Sequence, residues 1–369
     1  MAVDLSFLLQ NKNKIETSYI PDFFRITNIT ERNALKDLIE CNPTISIHDQ
    51  ISSQLKELVK INNPDRKLTA LESETLINIH LGNSLIENYG VWVYYSWSNR
   101  LVHILDETEF IALRTSRNIY KIKPEERDIL STKSIGIIGL SVGQSIALTL
   151  AMERVCSELR LADFDDLELT NMNRIRTGIH NLGVLKVIIA AREIAELDPF
   201  IKVKIFKDGL TPENIDEFFL GGKKLDILVE ECDGLDIKIL SRLKAKEFKI
   251  PVVMDTNDRG MLDIERFDLE PDRPLLHGAL PNNIDLSTLN NLTNEEKLPM
   301  LDAMVDFKNL SERMKYSLSE LGKSITTWPQ LASSVILGGA MVTDTCRRIL
   351  LDQLKSSGRY YIDFEDLIK

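Results

Sequence analysis

The chain has no run of about 18 consecutive apolar residues, the length a helix needs to cross a bilayer, so no membrane span is expected. It has only 4 cysteines, Cys41, Cys156, Cys232 and Cys346, and no CxxC pair. Neither a four-thiolate zinc site nor a disulfide framework is therefore expected, and a reducing cytoplasm is the simplest home. Basic residues are in deficit: 45 Lys and Arg face 56 Asp and Glu, for a net charge of -11. That balance excludes a generic nucleic-acid-binding surface. The start, "MAVDLSFLLQNKNK", lacks the basic residues and long apolar core of a signal peptide. No internal repeat or low-complexity tract is present.

What remains is ordinary for a soluble globular protein: 369 residues, 43% apolar and 27% charged, enough for two domains or one large domain with extensions. Residues 1 to about 115 read as a separate α+β layer. "ERNALKDLIE" and "HDQISSQLKELVKI" carry apolar residues at helical spacing. "GVWVYYSWSNRLVHIL" reads as two strands joined by a turn near Ser98 and Asn99. Trp92, Tyr94, Tyr95 and Trp97 offer faces of the kind that stack bases, but an acidic chain favours aromatic cross-strand packing.

From Lys133 onward short apolar strands alternate with helices. The strands are "SIGIIG", "ELRLADFD", "IKVKIF", "LDILVEECD" and "IPVVMDT". Between them lie helices in "QSIALTLAMERVC", "GVLKVIIAAREIAELDP" and residues 236–248. This alternation predicts an α/β fold with a doubly wound, mostly parallel Rossmann-like sheet over residues 116–350. Beyond Asp263 the regularity fades into the loop-rich stretch "LEPDRPLLHGALPNNIDLSTLNNLTNEE". "WPQLASSVILGGAMVTDTCRRILLDQL" then reads as one long apolar helix opened by Pro329, and residues 351–369 as a tail.

The motif "IIGLSVGQS" follows the first strand and opens a helix. Gly139 and Gly143 permit a tight turn and close approach of a ligand, and the helix start offers N–H groups to an anion. Asp163, 24 residues after Gly139, ends the second strand, where it can reach ribose hydroxyls. Alone these features fit a nicotinamide dinucleotide, although Ser141 stands where GxGxxG has its second glycine. The segment "LADFDDLELTNMNR" adds Asn171 and Arg174, Arg176 follows two residues later, and "GVLK" places Lys186 at a helix start. Cations gathered there match the outer phosphates of ATP better than the two phosphates of a dinucleotide. Asp233, at the end of the fourth strand in "VEECDG", is placed to hold Mg2+ or to cap the next helix.

The ordered set "GLSVG", "LADFDDLELTNMNR", "GVLK" and "ECDG" resembles the ThiF/MoeB/ubiquitin-activating-enzyme superfamily of ATP-dependent adenylyltransferases, over roughly residues 114–350. The resemblance implies that Gly139, Ser141 and Gly143 form the phosphate loop, that Asp163 binds ribose with Asp165 beside it, and that Asn171, Arg174 and Lys186 contact the phosphates. Asp233 then coordinates Mg2+. "RTSRN" puts Arg117, with Arg114 nearby, in the place of an arginine that reaches the partner subunit's ATP, which implies a homodimer. The chemistry implied is adenylation of a carboxylate, from a ubiquitin-like protein, a peptide or a small acid, with release of pyrophosphate. Ile175 and Gly234 depart from the family's usual Gln and Asn. The cysteines after Asp163 read as packing residues, so no enzyme thioester is expected. The N-terminal region with "VGQSIALTLAMER" also resembles a bacterial branch sometimes fused to a nitroreductase-like flavin domain, which implies a flavoprotein partner. Two other readings stay open at this point: a NAD- or flavin-linked oxidoreductase, and a non-catalytic subunit of an activating complex. His277 in "LLHGAL" is a candidate substrate contact, though a lone loop histidine more often serves its own fold.

Overall fold

A computed structural model describes residues 17–280 and 293–369. The stretch "MAVDLSFLLQNKNK" and part of the loop-rich segment after Asp263 lie outside them. The chain divides into two compact units, Met1–Phe110 and Ile111–Lys369.

The first unit holds a four-stranded sheet in the order β1 (Asp22–Phe24), β3 (Val91–Tyr95), β4 (Arg100–Ile104), β2 (Ser46–Asp49), with helices α1 (Ile29–Cys41), α2 (Ile51–Ile61) and α3 (Ala70–Leu81). In β3, Val91, Val93 and Tyr95 point inward and are buried, as an alternating strand requires. The β3–β4 turn closes on Asn99 at φ 51°, a left-handed position that Asn tolerates. The aromatic residues pack within the sheet: Trp92 stacks on the buried His103 at 4.3 Å, across the pair that the register makes. The helix read from "HDQISSQLKELVKI" starts only at Ile51. His48 and Asp49 pair with β4 instead, and Asp49 receives a hydrogen bond from the Ile51 amide at the helix start.

The second unit is built on a seven-stranded sheet. Its order is β11 (Gly358–Tyr361), β10 (Met261–Glu265), β9 (Val252–Thr256), β8 (Ile227–Glu230), β5 (Ser134–Ile138), β6 (Glu158–Ala162), β7 (Lys202–Phe206). The five strands from β9 to β7 run parallel. β5 is buried at all five positions, because helices cover both faces of a parallel sheet. The helices at the strand crossovers are α6 (Gly143–Glu153), α7 (Lys186–Leu197), α8 (Ile215–Leu220) and α9 (Leu235–Glu247), preceded in the chain by α4 (Glu107–Arg114) and α5 (Pro124–Leu130). The expected doubly wound architecture is therefore present. β10 and β11 extend it antiparallel, and the second lies in the residues that the sequence sets apart as a tail. No described helix is long and apolar enough to cross a membrane.

Later in the chain come α10 (Asn294–Val305), α11 (Glu312–Glu320), the long apolar helix α12 (Ala332–Leu350) and the short α13 (Phe364–Leu367). α12 starts three residues after Pro329, because Leu331 is still extended at φ -117° and ψ 140°. Its Gly338–Gly339 pair sets how closely it packs. A Cβ on Gly338 would lie 2.1 Å from Asp255 Oδ2, and one on Gly339 would lie 2.5 Å from Ser145 Oγ. The helix thus wedges between the end of β9 and α6.

Two effects oppose each other at Gly338. Alanine is the better helix former by about 1 kcal/mol, but overpacking against a buried side chain costs about 1–3 kcal/mol. Asp255 is only 4% exposed, and the added Cβ would also lie 2.6 Å from its Cγ, so the clash wins. Gly338→Ala is expected to lower the melting temperature by a few degrees; a rise would contradict this packing.

Candidate active site

The loops after β5, β6 and β8 meet at the carboxyl edge of the parallel sheet, the edge where doubly wound folds bind ligands. The turn after β5 depends on glycine. Gly139 has φ +85°, and a Cβ there would sit 2.6 Å from the Glu231 carbonyl oxygen. The backbone after β5 therefore lies directly on the backbone after β8. Gly143 begins α6, whose N-terminus carries no side-chain cap, so its N–H groups remain offered to an anion.

Asp163 ties this loop to the next strand. It is 8% exposed. Its Oδ2 accepts the Leu140 amide at 2.6 Å and its Oδ1 accepts the Asp165 amide at 2.8 Å. Burial raises its pKa above the ordinary carboxylate value, while those two amides and the charge of Lys186 pull the other way. Two bonds leave lone-pair capacity on a carboxylate that can take four.

Lys186 opens α7 and is 7% exposed. Its Nζ pairs with Asp165 Oδ2 at 2.8 Å, and its backbone N–H donates to the Asp165 carbonyl at 2.9 Å. The ammonium is thereby held beside Asp163. Arg174 is held as firmly. Its Nε donates to Ser141 Oγ at 3.0 Å, and its Nη1 donates to Asn173 Oδ1 at 2.9 Å. Ser141, which departs from the glycine pattern, is thus the residue that docks the arginine on the loop. Burial lowers the Arg174 pKa, and the nearby charge of Asp233 raises it.

Asp233 is exposed at the mouth, and no described residue donates a hydrogen bond to its carboxylate. It does not cap the following helix: Gly234 takes the N-cap position, with no side-chain bond. Among the described residues no group of three or more His, Cys, Asp and Glu is set to hold an ion alone. Asp233 alone would supply one of the one or two carboxylates that a Mg2+ ion takes, the rest of its shell being phosphates and water.

The other candidates sit less directly. Asn171 accepts the Glu168 amide at 3.0 Å through Oδ1, so part of its amide serves the local turn. Arg114 caps α6 by donating to the carbonyls of Ala151 and Met152 and pairs with Asp198 at 2.7 Å. Arg117, by contrast, is exposed and bonds to no described residue of its own chain. His277 is held between Asp263, 3.0 Å from its Nε2, and Arg273, 2.7 Å from its Nδ1, and so serves its own loop.

Beneath the site lies a buried charge network that the sequence does not announce. Burial alone would raise Glu230, but Lys238 and Arg242 outweigh it and hold it at about 2. Arg242, fully buried, bonds both Glu230 and Glu265. Next to it burial raises both Glu231 and Asp255, which lie together behind the glycine turn. On α6 and α7, Gln144 and Glu193 form a second unannounced pair at 2.9 Å. Both are polar residues in helices that read from sequence only as apolar stripes.

Residues 115–355 match the ThiF family. Over 330 residues the chain is 40% identical to a Mycobacterium tuberculosis protein named only as uncharacterized, a stretch covering 89% of this chain and 43% of that relative. Over 156 residues it is 28% identical to the tRNA threonylcarbamoyladenosine dehydratase of Bacillus subtilis, covering 42% of this chain and 60% of the relative. The chain thus spans less than two thirds of the length of either. The E. coli tRNA N6-threonylcarbamoyladenosine dehydratase in complex with ATP superimposes with a TM-score of 0.45 at 18% identity, over 66% of this chain and 95% of that one.

Glu193 generates a pH prediction. Burial pushes it up to about 7 from 4.5, against the Thr177 hydroxyl, the Arg176 charge and the Gln144 amide. The folded chain therefore keeps a proton that the unfolded chain releases between those two values. The stability this gives is full below pH 4.5 and is lost as pH rises to about 7. Glu193→Gln removes the ionisation. Its unfolding free energy, measured by denaturant titration, should match the wild type near pH 4.5 and exceed it progressively up to neutrality, by an amount on the order of 1–2 kcal/mol after allowing for partial solvent access. A constant difference across that range would refute the shift.

Proposed function

Since the chain belongs to the ThiF family, we propose that it is an ATP- and Mg2+-dependent adenylyltransferase that activates a carboxylate. The observation that carries this reading is the placing of two cations beside the glycine loop: Lys186 fixed on Asp165, and Arg174 fixed on Ser141. Two cations placed there match the outer phosphates of a triphosphate better than the two phosphates of a dinucleotide.

In this reading the α6 N-terminus and the turn at Gly139, Ser141 and Gly143 receive the phosphates, and Asp163 receives the ribose. Arg174, Lys186 and Asn171 steady the phosphate chain. A carboxylate oxygen of the substrate attacks the α-phosphorus, the bond to the β-phosphate oxygen breaks, and the products are an acyl-adenylate and pyrophosphate. No protein nucleophile is required; catalysis comes from positioning and from charge already in place. Asp233 holds Mg2+, which supplies neutralisation of the departing negative charge when bound. Arg117, exposed and bonded to no described residue of its own chain, acts in the partner's site of a homodimer.

The substrate class is a protein or peptide C-terminus or a small acid, and the setting is the cytoplasm. A thioester on this chain is not part of the proposal. Cys346 is fully buried, and burial raises its thiol pKa, as it does at Cys232 and at Cys156, which is pushed up to about 12. A flavin-bearing nitroreductase-like partner enters only through the resemblance to that bacterial branch.

Asp233→Ala is expected to lower ATP–pyrophosphate exchange about 100-fold or more, because a metal's share of charge stabilisation is worth several kcal/mol. Its melting temperature should stay within about 2 °C of the wild type, since an exposed side chain without bonds is being removed. Exchange at the wild-type rate would rule Asp233 out as the ligand. Mixing Arg117→Ala with Lys186→Ala subunits should restore part of the activity that each variant lacks alone; no restoration would place Arg117 outside the partner's site.

A further inference from the structure

Gln144, the second residue of α6, is 3% exposed and spends its whole amide on three contacts. Its Oε1 accepts the Arg176 amide N–H at 3.0 Å. Its Nε2 donates to the Arg176 carbonyl at 3.3 Å and to Glu193 Oε2 at 2.9 Å. A side-chain amide thus pairs with both main-chain groups of one residue, as a neighbouring strand would. The orientation of the amide is not arbitrary: the Arg176 N–H requires an acceptor and the Arg176 carbonyl requires a donor.

The residue so gripped lies two positions after Arg174. The same segment is fastened elsewhere, with Asn173 Nδ2 donating to the Gln330 carbonyl at 2.8 Å and the Thr177 hydroxyl bonding to Glu193. Between these points Arg174 reaches Ser141 on the glycine turn. The turn itself is rigid, because Gly139 lies against the backbone of Glu231 and the Leu140 amide is bonded to Asp163. Both ends of the Arg174–Ser141 contact are therefore fixed before any ligand arrives, and Gln144 fixes one of them.

We propose that Gln144, oriented by Glu193, is a positioning residue that clamps Arg176 and so holds the Arg174 guanidinium on the glycine loop in readiness for the nucleotide. This rests on the adenylation reading. The physical gain is preorganisation: an arginine ordered in advance loses less side-chain freedom when phosphate binds. The clamp acts through Arg174 and touches no reacting atom.

The test is a double-mutant cycle on Mg-ATP binding, measured by titration calorimetry on the full chain, joined to amide hydrogen exchange at Arg176. Gln144→Met keeps the packing volume and removes all three bonds; Gln144→Ala serves if the longer side chain misfolds. The Arg176 amide should exchange at least about tenfold faster in the variant, while amides in the middle of α6 keep their protection. Mg-ATP should bind about tenfold more weakly, and that loss should disappear when Arg174 is already alanine, because the two act as one unit. A purely structural role for Gln144 would weaken binding equally in both backgrounds, and that result, or unchanged affinity, overturns the proposal. If the wild type binds no Mg-ATP at all, the adenylation reading falls and takes the nucleotide role of Gln144 with it. Exchange at Arg176 would then still report separately on the clamp.

Discussion

The bond from the Leu140 amide to the Asp163 carboxylate, 2.6 Å long and buried, is the contact on which the site depends. It joins the turn after β5 to the end of β6. The second oxygen of the same carboxylate takes the Asp165 amide and so starts the segment that delivers the cations. Without this carboxylate, two main-chain donors would be left buried, a cost of roughly 1–3 kcal/mol each. Loop and cation segment would also lose their common anchor. From it the geometry propagates outward: Asp165 takes Lys186, and Ser141 takes Arg174.

A second constraint acts from below. The ends of β8 and β9 carry Glu230, Glu231 and Asp255, all buried. Glu230 is neutralised by Lys238 and Arg242 and so does not draw on the cations above it. Buried ion pairs of this kind add little net stability, yet removing one partner strands the others at a cost of several kcal/mol. Glu231 also contributes shape, since its backbone leaves room only for glycine at position 139. The wall against Asp255 is α12, which comes that close because it presents Gly338 there.

The parallel strands were legible in the sequence because burial on both faces writes a plain apolar run, as in "SIGIIG". The β3–β4 hairpin was legible from alternation and from Asn99 at the turn. β10 was not, since Asp263 and Glu265 break its apolar pattern. Their partners, Arg359 and Arg242, lie 96 and 23 residues away and cannot be inferred from local spacing. α3 carries a local sequence signal of its own, since Thr69 and Glu72 form a reciprocal cap at the start of the helix. At the site, the order of Asp163, Arg174, Lys186 and Asp233 could be read along the chain. What could not be read was the pairing of Ser141 with Arg174 or of Gln144 with Glu193, because each joins residues that only the folded loops bring together.

The account turns on what the cations beyond β6 are for. A triphosphate with its metal and a dinucleotide would both seat on the glycine turn, but only the first would engage Arg174 and Lys186 together. The most direct measurement is therefore calorimetric titration of the wild-type chain and of Lys186→Ala with Mg-ATP and, separately, with NAD and NADH. The account predicts that the wild type binds Mg-ATP in preference to either dinucleotide and that Lys186→Ala loses most of that affinity. Tight binding of NAD or NADH, indifferent to the loss of Lys186 and with no heat from Mg-ATP, would contradict it.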